Sequence, residues 1–231
     1  MSAKEQLRPL AFWADLLSEE EASTVINGIS ERRYPAGSYI CHRGDRFDFW
    51  TGIVTGLVKM SAVSLSGKSM TYGGVSAGGW FGEGTIMKNE VRKYDLVAVR
   101  DTHLAMLNRS GFMWLFENSV RFAQFVAYQL NERMGQFIAT IESDRLHDPA
   151  ARVARHLIWL FNPVLYPNTH GHVEITQEEL GLLAGLSRQV TNRALATLEA
   201  EGLVQTQHTK VAVPSLDKLA RYGSDDDRAD G

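Results

Sequence analysis

One cysteine, Cys41, is all that 231 residues hold. An internal disulfide is therefore impossible, and so is a four-cysteine iron–sulfur cluster within one chain. A reducing cytoplasm is the expected compartment. Long apolar runs are missing too. Charge or glycine interrupts every stretch well short of the ~18 residues a membrane helix needs, so no membrane partner is expected. The N-terminal MSAKEQLRPLAFWADLL carries acids and lacks a continuous apolar core, so it does not read as a signal peptide. Excess positive charge is absent: 24 Lys and Arg against 27 Asp and Glu leave a net −3. That excludes indiscriminate nucleic-acid binding over the whole surface but leaves room for a local basic patch. What remains is 44% hydrophobic and 22% charged, the composition of a globular chain with ample core for one or two domains.

Residues 1–30 read as short helices, with Ser18 before Glu19-Glu20-Glu21 as an N-cap followed by acids that suit the helix dipole. From Tyr34 to about Leu107 glycines become frequent. The β-rich runs Ile53–Val63 and Leu96–Leu107 lie among turn signals at Arg43-Gly44-Asp45 and Ser66-Gly67, the pattern of an antiparallel barrel or roll. Over 112–145 the period becomes helical. Ala123, Ala127, Leu130, Met134, Phe137 and Ile141 step by 4, 3, 4, 3, 4, a seam of about three heptads. Val120, Phe122, Phe125 and Val126 are expected to face the barrel, which leaves the seam for a symmetric partner, hence a homodimer. The alternative is one helix packed on its own barrel. Asp148-Pro149 ends the helix. A helix over Ala150–Phe161, a polar loop and a strand at His172–Ile175 come next, and the last residues, GSDDDRADG, read as a disordered acidic tail.

Thr176-Gln177-Glu178-Glu179 is a capping box opening a helix that buries Leu180, Leu183 and Ala184. The helix stops at Gly185-Leu186-Ser187, a glycine turn with a serine able to cap a second helix. That second helix runs from Arg188 to Glu201 and ends at Gly202. Val190, Ala194, Leu195 and Leu198 make its expected buried stripe. Arg188, Gln189, Asn192 and Arg193 fall on the other side, in the first two turns. Arginine can pair with guanine, and glutamine or asparagine with adenine. Crowding at that end is what a helix-turn-helix requires in a major groove. Thr176, Ser187 and Thr191 complete the DNA-binding set expected here. Leu203–Gln207, a turn at His208-Thr209 and Lys210–Val213 read as a wing.

ITQEELGLLAGLSRQVTNRALATLEAEGLV (175–204) resembles the winged helix-turn-helix of the cyclic-AMP receptor protein/fumarate-nitrate regulator (CRP/FNR) family. AGSYICHRGD stands where that family has A-G-x-x-I-x-x-x-G-D in its cyclic-nucleotide-binding β-roll. The resemblance covers about residues 10–220. It implies an α+β fold: a cyclic-nucleotide-binding-like β-roll (jelly roll) over 1–111, a dimerisation helix over 112–147, a winged helix-turn-helix domain over 148–222 and a tail over 223–231. It also implies a transcriptional regulator, not an enzyme, with double-stranded DNA, a second copy of the chain and RNA polymerase as partners. Arg188 and Arg193 correspond to the guanine-reading arginines of the cyclic-AMP receptor group. Between them that group has a glutamate where this chain has Gln189, so a related but different half-site is expected.

The resemblance continues at Gly82-Glu83-Gly84-Thr85 through Arg92-Lys93-Tyr94-Asp95, which is similar to the family's phosphate-binding cassette. There a Gly-Glu pair holds the ribose and an Arg-Ser pair grips the cyclic phosphate. Either Arg92 is the phosphate arginine, with a loop one residue short and Lys93 in place of serine, or Lys93 takes the arginine's place and Tyr94 comes after it. On the long helix, the polar pair that touches adenine falls on Phe137 and Ile138. Both departures remove hydrogen-bonding capacity. The expected effector site is Gly82, Glu83, Gly84, Thr85, Arg92, Lys93, Tyr94 and Phe137, its ligand a small anionic or nucleotide-like molecule other than ordinary cyclic AMP. No other cofactor and no metal is expected. A ligand-binding module that no longer touches DNA is the competing reading.

Three weaker signals have ordinary explanations. Gly74-Val75-Ser76-Ala77-Gly78 matches the G-x-S-x-G elbow of serine hydrolases, but Gly79-Trp80-Phe81-Gly82 stands where a helix would be needed, so a β-roll turn is expected. His170 and His172 lack a third metal ligand. Cys41-His42 reads as a plain strand position.

Overall fold

In the structure, a computed structural model, residues 1–63, 69–146, 148–167 and 169–223 are described. The turn expected at Ser66-Gly67 and the acidic tail beyond Gly223 lie outside them. The chain forms two compact units. One comprises Met1–Glu132 with Val164–Pro167, the other Arg133–Pro163 with the chain after Pro167.

In the first unit, helices α1 (Ala3–Leu7) and α2 (Glu19–Val25) each begin in a complete capping box, on Ser2 with Glu5 and on Ser18 with Glu21. The strands are β1 (Ile29–Tyr34), β2 (Tyr39–Cys41), β3 (Phe49–Thr55), β4 (Leu57–Val63), β5 (Ser69–Ser76), β6 (Trp80–Phe81), β7 (Asp95–Ala98) and β8 (Thr102–Asn108), with α3 (Glu83–Lys88) between β6 and β7. They build two antiparallel sheets, β1-β8-β3-β6 and β2-β7-β4-β5, which make the β-roll. Its core is aromatic. Trp13, Trp50, Trp80, Phe112 and Phe122 are buried, with ring centroids 4.4–5.6 Å apart in tilted and edge-to-face pairs.

The helix expected over 112–147 is two helices, α4 (Arg109–Asn118) and α5 (Val120–Leu146). The break is Ser119, which leaves helical geometry at φ −113°, ψ 104° and lends its hydroxyl to the amide of Phe122. An α5 that starts at Val120 has its first residue out in solvent, so Val120 is 72% exposed instead of facing the roll. Phe122 and Val126 are buried as the period required.

The second unit holds the rest of α5, α6 (Pro149–Leu160), β9 (His172–Glu174), α7 (Gln177–Ala184), α8 (Arg188–Ala200), β10 (Gln205–Gln207), β11 (Lys210–Ala212) and α9 (Leu216–Arg221). Asp148 caps α6 by accepting from the amides of Ala150 and Ala151, with Pro149 at the first helical position, where its missing N–H costs nothing. The wing is a three-stranded sheet, β10-β11-β9.

Candidate nucleic-acid interface and effector cradle

The geometry of α7 and α8 comes from their caps. Thr176 Oγ1 accepts from the Glu179 amide at 3.2 Å, and Glu179 Oε2 accepts from the Thr176 amide at 2.8 Å. Gly185 ends α7 at φ 63°, a left-handed conformation that costs glycine nothing, and Ser187 caps α8 by accepting from the Val190 amide. The stripe buried by α8 is Thr191, Ala194, Leu195 and Leu198, with Val190 only half-buried. Thr191 therefore leaves the DNA-facing set expected from the sequence. Its hydroxyl donates to the Ser187 carbonyl at 3.0 Å and sits where a Cβ on Gly181 would come within 2.7 Å. Because threonine is small and satisfies its own hydroxyl inside the turn, it fills the i−3 place of the Ala194–Leu198 stripe that valine was expected to take.

Arg188, Gln189 and Arg193 are exposed together in the first two turns of α8; Asn192 beside them is half-buried, its Oδ1 buried and without a hydrogen bond among the described residues. A cleft of about 510 Å³ runs past Arg188, walled by Thr176, Gln177 and Glu178 at the start of α7 and by Thr206, Gln207 and His208 of the wing. Glu199 on α8 accepts from the Thr206 amide at 2.8 Å and from its hydroxyl at 3.1 Å, so helix and wing are joined directly.

In the roll, Gly82 (φ 101°) turns β6 into α3. The Arg92 guanidinium lies against it, so close that a Cβ there would stand 2.5 Å from Nη2. Arg92 is 1% exposed. Nη2 donates to the Phe49 carbonyl at 3.0 Å and Nη1 to Thr85 Oγ1 at 3.4 Å, while Cζ stands 5.1 Å from the Phe47 ring centroid. Its Nε is buried without a hydrogen-bond partner among the described residues. Gly82, Thr85 and Arg92 are thus brought together, Glu83 is buried next to Gly82, and Gly84 and Tyr94 are half-buried. Of the two arginine positions left open by the sequence, the inward one is Arg92.

Lys93 points the other way, a correction to the effector set. It is exposed and pairs with Glu90 at 2.8 Å, and Glu90 also meets Lys88 at 3.2 Å. The Glu90 carboxylate raises the Lys93 ammonium, and Lys93 with Lys88 lowers Glu90. Both residues lie in the irregular segment between α3 and β7, where Arg92 is buried and Lys93 is exposed. Phe137 belongs to the second unit, on the open face of α5.

Along α5, Ala123 and Leu130 are half-buried and Ala127 is exposed, while Met134, Phe137 and Ile141 stand 57%, 37% and 56% exposed, flanked by Tyr128 and Ile138. An apolar stripe of this length in water calls for a covering surface.

Residues 31–119 match the model of the cyclic nucleotide-binding domain, and residues 151–222 that of the Crp-like helix-turn-helix domain. The Cyclic AMP receptor protein of Thermus thermophilus is 31% identical over 191 residues, covering 82% of this chain and 86% of that protein. The chain belongs to the CRP/FNR family of transcriptional regulators. The cAMP-activated global transcriptional regulator Vfr of Pseudomonas aeruginosa is 28% identical, over 79% of this chain and 88% of its own length. FixK2 from Bradyrhizobium japonicum shares the fold at a TM-score of 0.68 with 16% identity, covering 85% of this chain and 98% of that one. As a CRP/FNR regulator the chain combines a cyclic-nucleotide-binding β-roll with a DNA-binding helix-turn-helix.

Features of this CRP/FNR chain that its sequence did not announce lie mostly in long-range contacts. Arg152 on α6 donates to the Ala184 carbonyl at 2.8 Å and pairs with Asp144 of α5 at 2.8 Å, placing a cation at the C-terminal end of α7, where the helix dipole favours one. Ser76–Gly79 is a tight turn closed by Gly79 N–H to the Ser76 carbonyl, and the next strand, β6, begins directly after it. Burial pushes the Cys41 thiol up to about 11, so it is not a thiolate near neutrality. His170 and His172 are exposed, and the described residues hold no group of three or more metal-ligating side chains. Among them, too, no helix is long and apolar enough to cross a membrane.

Proposed function

We propose that this regulator acts as a homodimer joined along the Ala123–Ile141 stripe of α5, and that its two α8 helices enter successive major grooves of a near-palindromic operator about one helical turn apart. The observation that carries this reading is the exposure of Arg188, Gln189 and Arg193 together at the N-terminal end of α8. Arg188 and Arg193 read guanine, and Gln189 and Asn192 read adenine. Thr176 and Ser187, at the starts of the two helices, take the phosphate backbone. Thr191 supports the helix from inside. The chain works in the cytoplasm, with RNA polymerase as its further partner.

The effector is a small anion or nucleotide-like molecule held by Gly82, Glu83, Gly84, Thr85 and Arg92, with Tyr94 at the edge. The relatives named above are named for cyclic AMP. Here Lys93 stands in solvent where the cassette has its serine, and Phe137 and Ile138 offer no hydrogen bond where cyclic-AMP binders have their polar pair, so the ligand differs from ordinary cyclic AMP.

Selection of duplexes from a random pool at moderate salt tests the DNA reading: a near-palindrome with guanine and adenine in each half-site is expected. Failure to select any duplex would leave a ligand-binding module only. Calorimetric titration against cyclic mono- and dinucleotides tests the effector reading, and micromolar binding of cyclic AMP would overturn it.

A further inference from the structure

The cleft beside the start of α8 contains one cation, Arg188, and one anion, Glu178. Thr176, Gln177, Thr206 and Gln207 are uncharged walls, and His208 is the remaining ionisable group. Acids nearby are engaged elsewhere. Glu179 accepts from the Thr176 amide, Glu199 holds Thr206, and Glu174 pairs with Lys210 at 3.6 Å. Glu178 instead is exposed and lines the cleft. Its backbone place is fixed, because it lies three residues before Gly181, where α7 packs closely on Thr191 of α8.

A carboxylate there works against a protein that must meet a polyanion. The local benefit of an acid in the first turn of α7 is already supplied by Glu179. With His208 neutral, the charges of Arg188 and Glu178 cancel, and this affects the two kinds of contact open to Arg188 unequally. Paired hydrogen bonds to a guanine edge are short-range. Attraction to phosphates reaches over about 8–10 Å at physiological salt and follows the net charge of the cleft. On a duplex without the matching guanine, the Arg188 fork turns to a phosphate, and a phosphate drawn into the cleft comes beside Glu178.

We propose that Glu178 is a specificity-determining residue of the DNA-binding head: its carboxylate repels phosphate from the cleft, so that Arg188 gains little from the backbone and is left for guanine. This rests on the DNA reading above. The backbone contacts of Thr176 and Ser187 are shared by every duplex, so Glu178 acts on the one contact that changes between a matching and a non-matching sequence.

The experiment uses the full-length protein, the duplex selected by wild type and a scrambled duplex of the same length and composition. Binding is measured at one pH over a series of salt concentrations. Glu178→Gln is expected to strengthen the scrambled duplex about fivefold at low salt and the selected duplex by less than about twofold, so the ratio of the two falls. The gain should shrink as salt rises. Glu178→Asp keeps the charge and should keep the wild-type ratio. A purely structural role, through the dipole of α7, would weaken both duplexes and produce no gain, and that result would overturn the proposal. So would a loss confined to the selected duplex, which would make Glu178 a direct base contact. If wild type selects no duplex, the DNA reading itself falls, and this proposal with it; if wild type selects one and Glu178→Gln keeps the wild-type ratio, this proposal alone falls.

Discussion

Arg188 and Arg193 stand exposed while Thr191, between them, is buried, and under the proposed DNA reading substitutions at the two arginines are expected to act on recognition and those at Thr191 on the fold. Arg188→Ala or Arg193→Ala should cost roughly 1–3 kcal/mol of operator affinity and relax preference at one base position, read by binding to a panel of single-base variants. A loss uniform over the panel would show a phosphate contact instead. Gln189→Glu should move preference toward cytosine on the contacted strand, because a carboxylate accepts from the cytosine amino group. A second residue-scale effect concerns pH. Burial lowers His156 on α6 to about 4, with Asp144 opposing and Arg152 adding to the shift. A folded-state pKa below the ordinary 6.5 means that the unfolded chain takes up the proton first. The neutral ring's contribution is complete above about pH 6.5 and is lost as pH falls toward 4. The ring keeps some exposure, so the loss is discounted to about 2 kcal/mol. Thermal unfolding between pH 7 and 4 should show a steeper decline for wild type than for His156→Gln, and parallel slopes would refute the assignment.

At the scale of elements, caps and turns explain where helices begin and end. Ser18, Asp148, Thr176 and Ser187 each cap the helix that begins after them, and Gly185 makes the turn that aims α8. What joins α7 to α8 is a close contact that these cues do not describe. Gly181 faces Thr191, and an added methyl would stand 2.7 Å from Thr191 Oγ1 and 3.0 Å from the Leu186 carbonyl oxygen. The second neighbour is backbone and cannot step aside. Gly181→Ala should therefore destabilise the head by about 1–3 kcal/mol and weaken operator and half-site alike. An unchanged melting curve would mean that the two helices are not held at this distance. Glu199 and Thr206 then set the wing against the same helix.

For the whole molecule, the proposed dimer rests on the exposed stripe of α5. Met134, Ile138 and Ile141 are each more than half exposed, and no segment of the described chain covers them. Ile141→Glu with Met134→Glu should shift sedimentation from the dimer to a species near the 25.8 kDa of one chain. Binding to the full operator should fall toward that of one half-site, because the second contact ceases to be intramolecular. A double variant that remains dimeric would move the interface elsewhere.

The sequence by itself determined the elements and their order: the glycine-punctuated strands of the roll, the heptad seam, the capping box at Thr176 and the polar end of α8. These are local, carried by periodicity and by residues within four positions of each other. It also determined the family, through the stretch 175–204. Tertiary structure alone decided which way individual side chains face. The break at Ser119 left Val120 in solvent, Thr191 turned inward while Val190 stayed half out, and Arg92 entered the cradle while Lys93 remained on the surface. It also brought Tyr166 onto Gly74, 92 positions apart, and Arg152 onto Ala184, 32 apart. Such pairs leave no periodic trace, because neither partner constrains its neighbours along the chain. Their energies come from burial and hydrogen bonds that exist only once the strands and helices have packed.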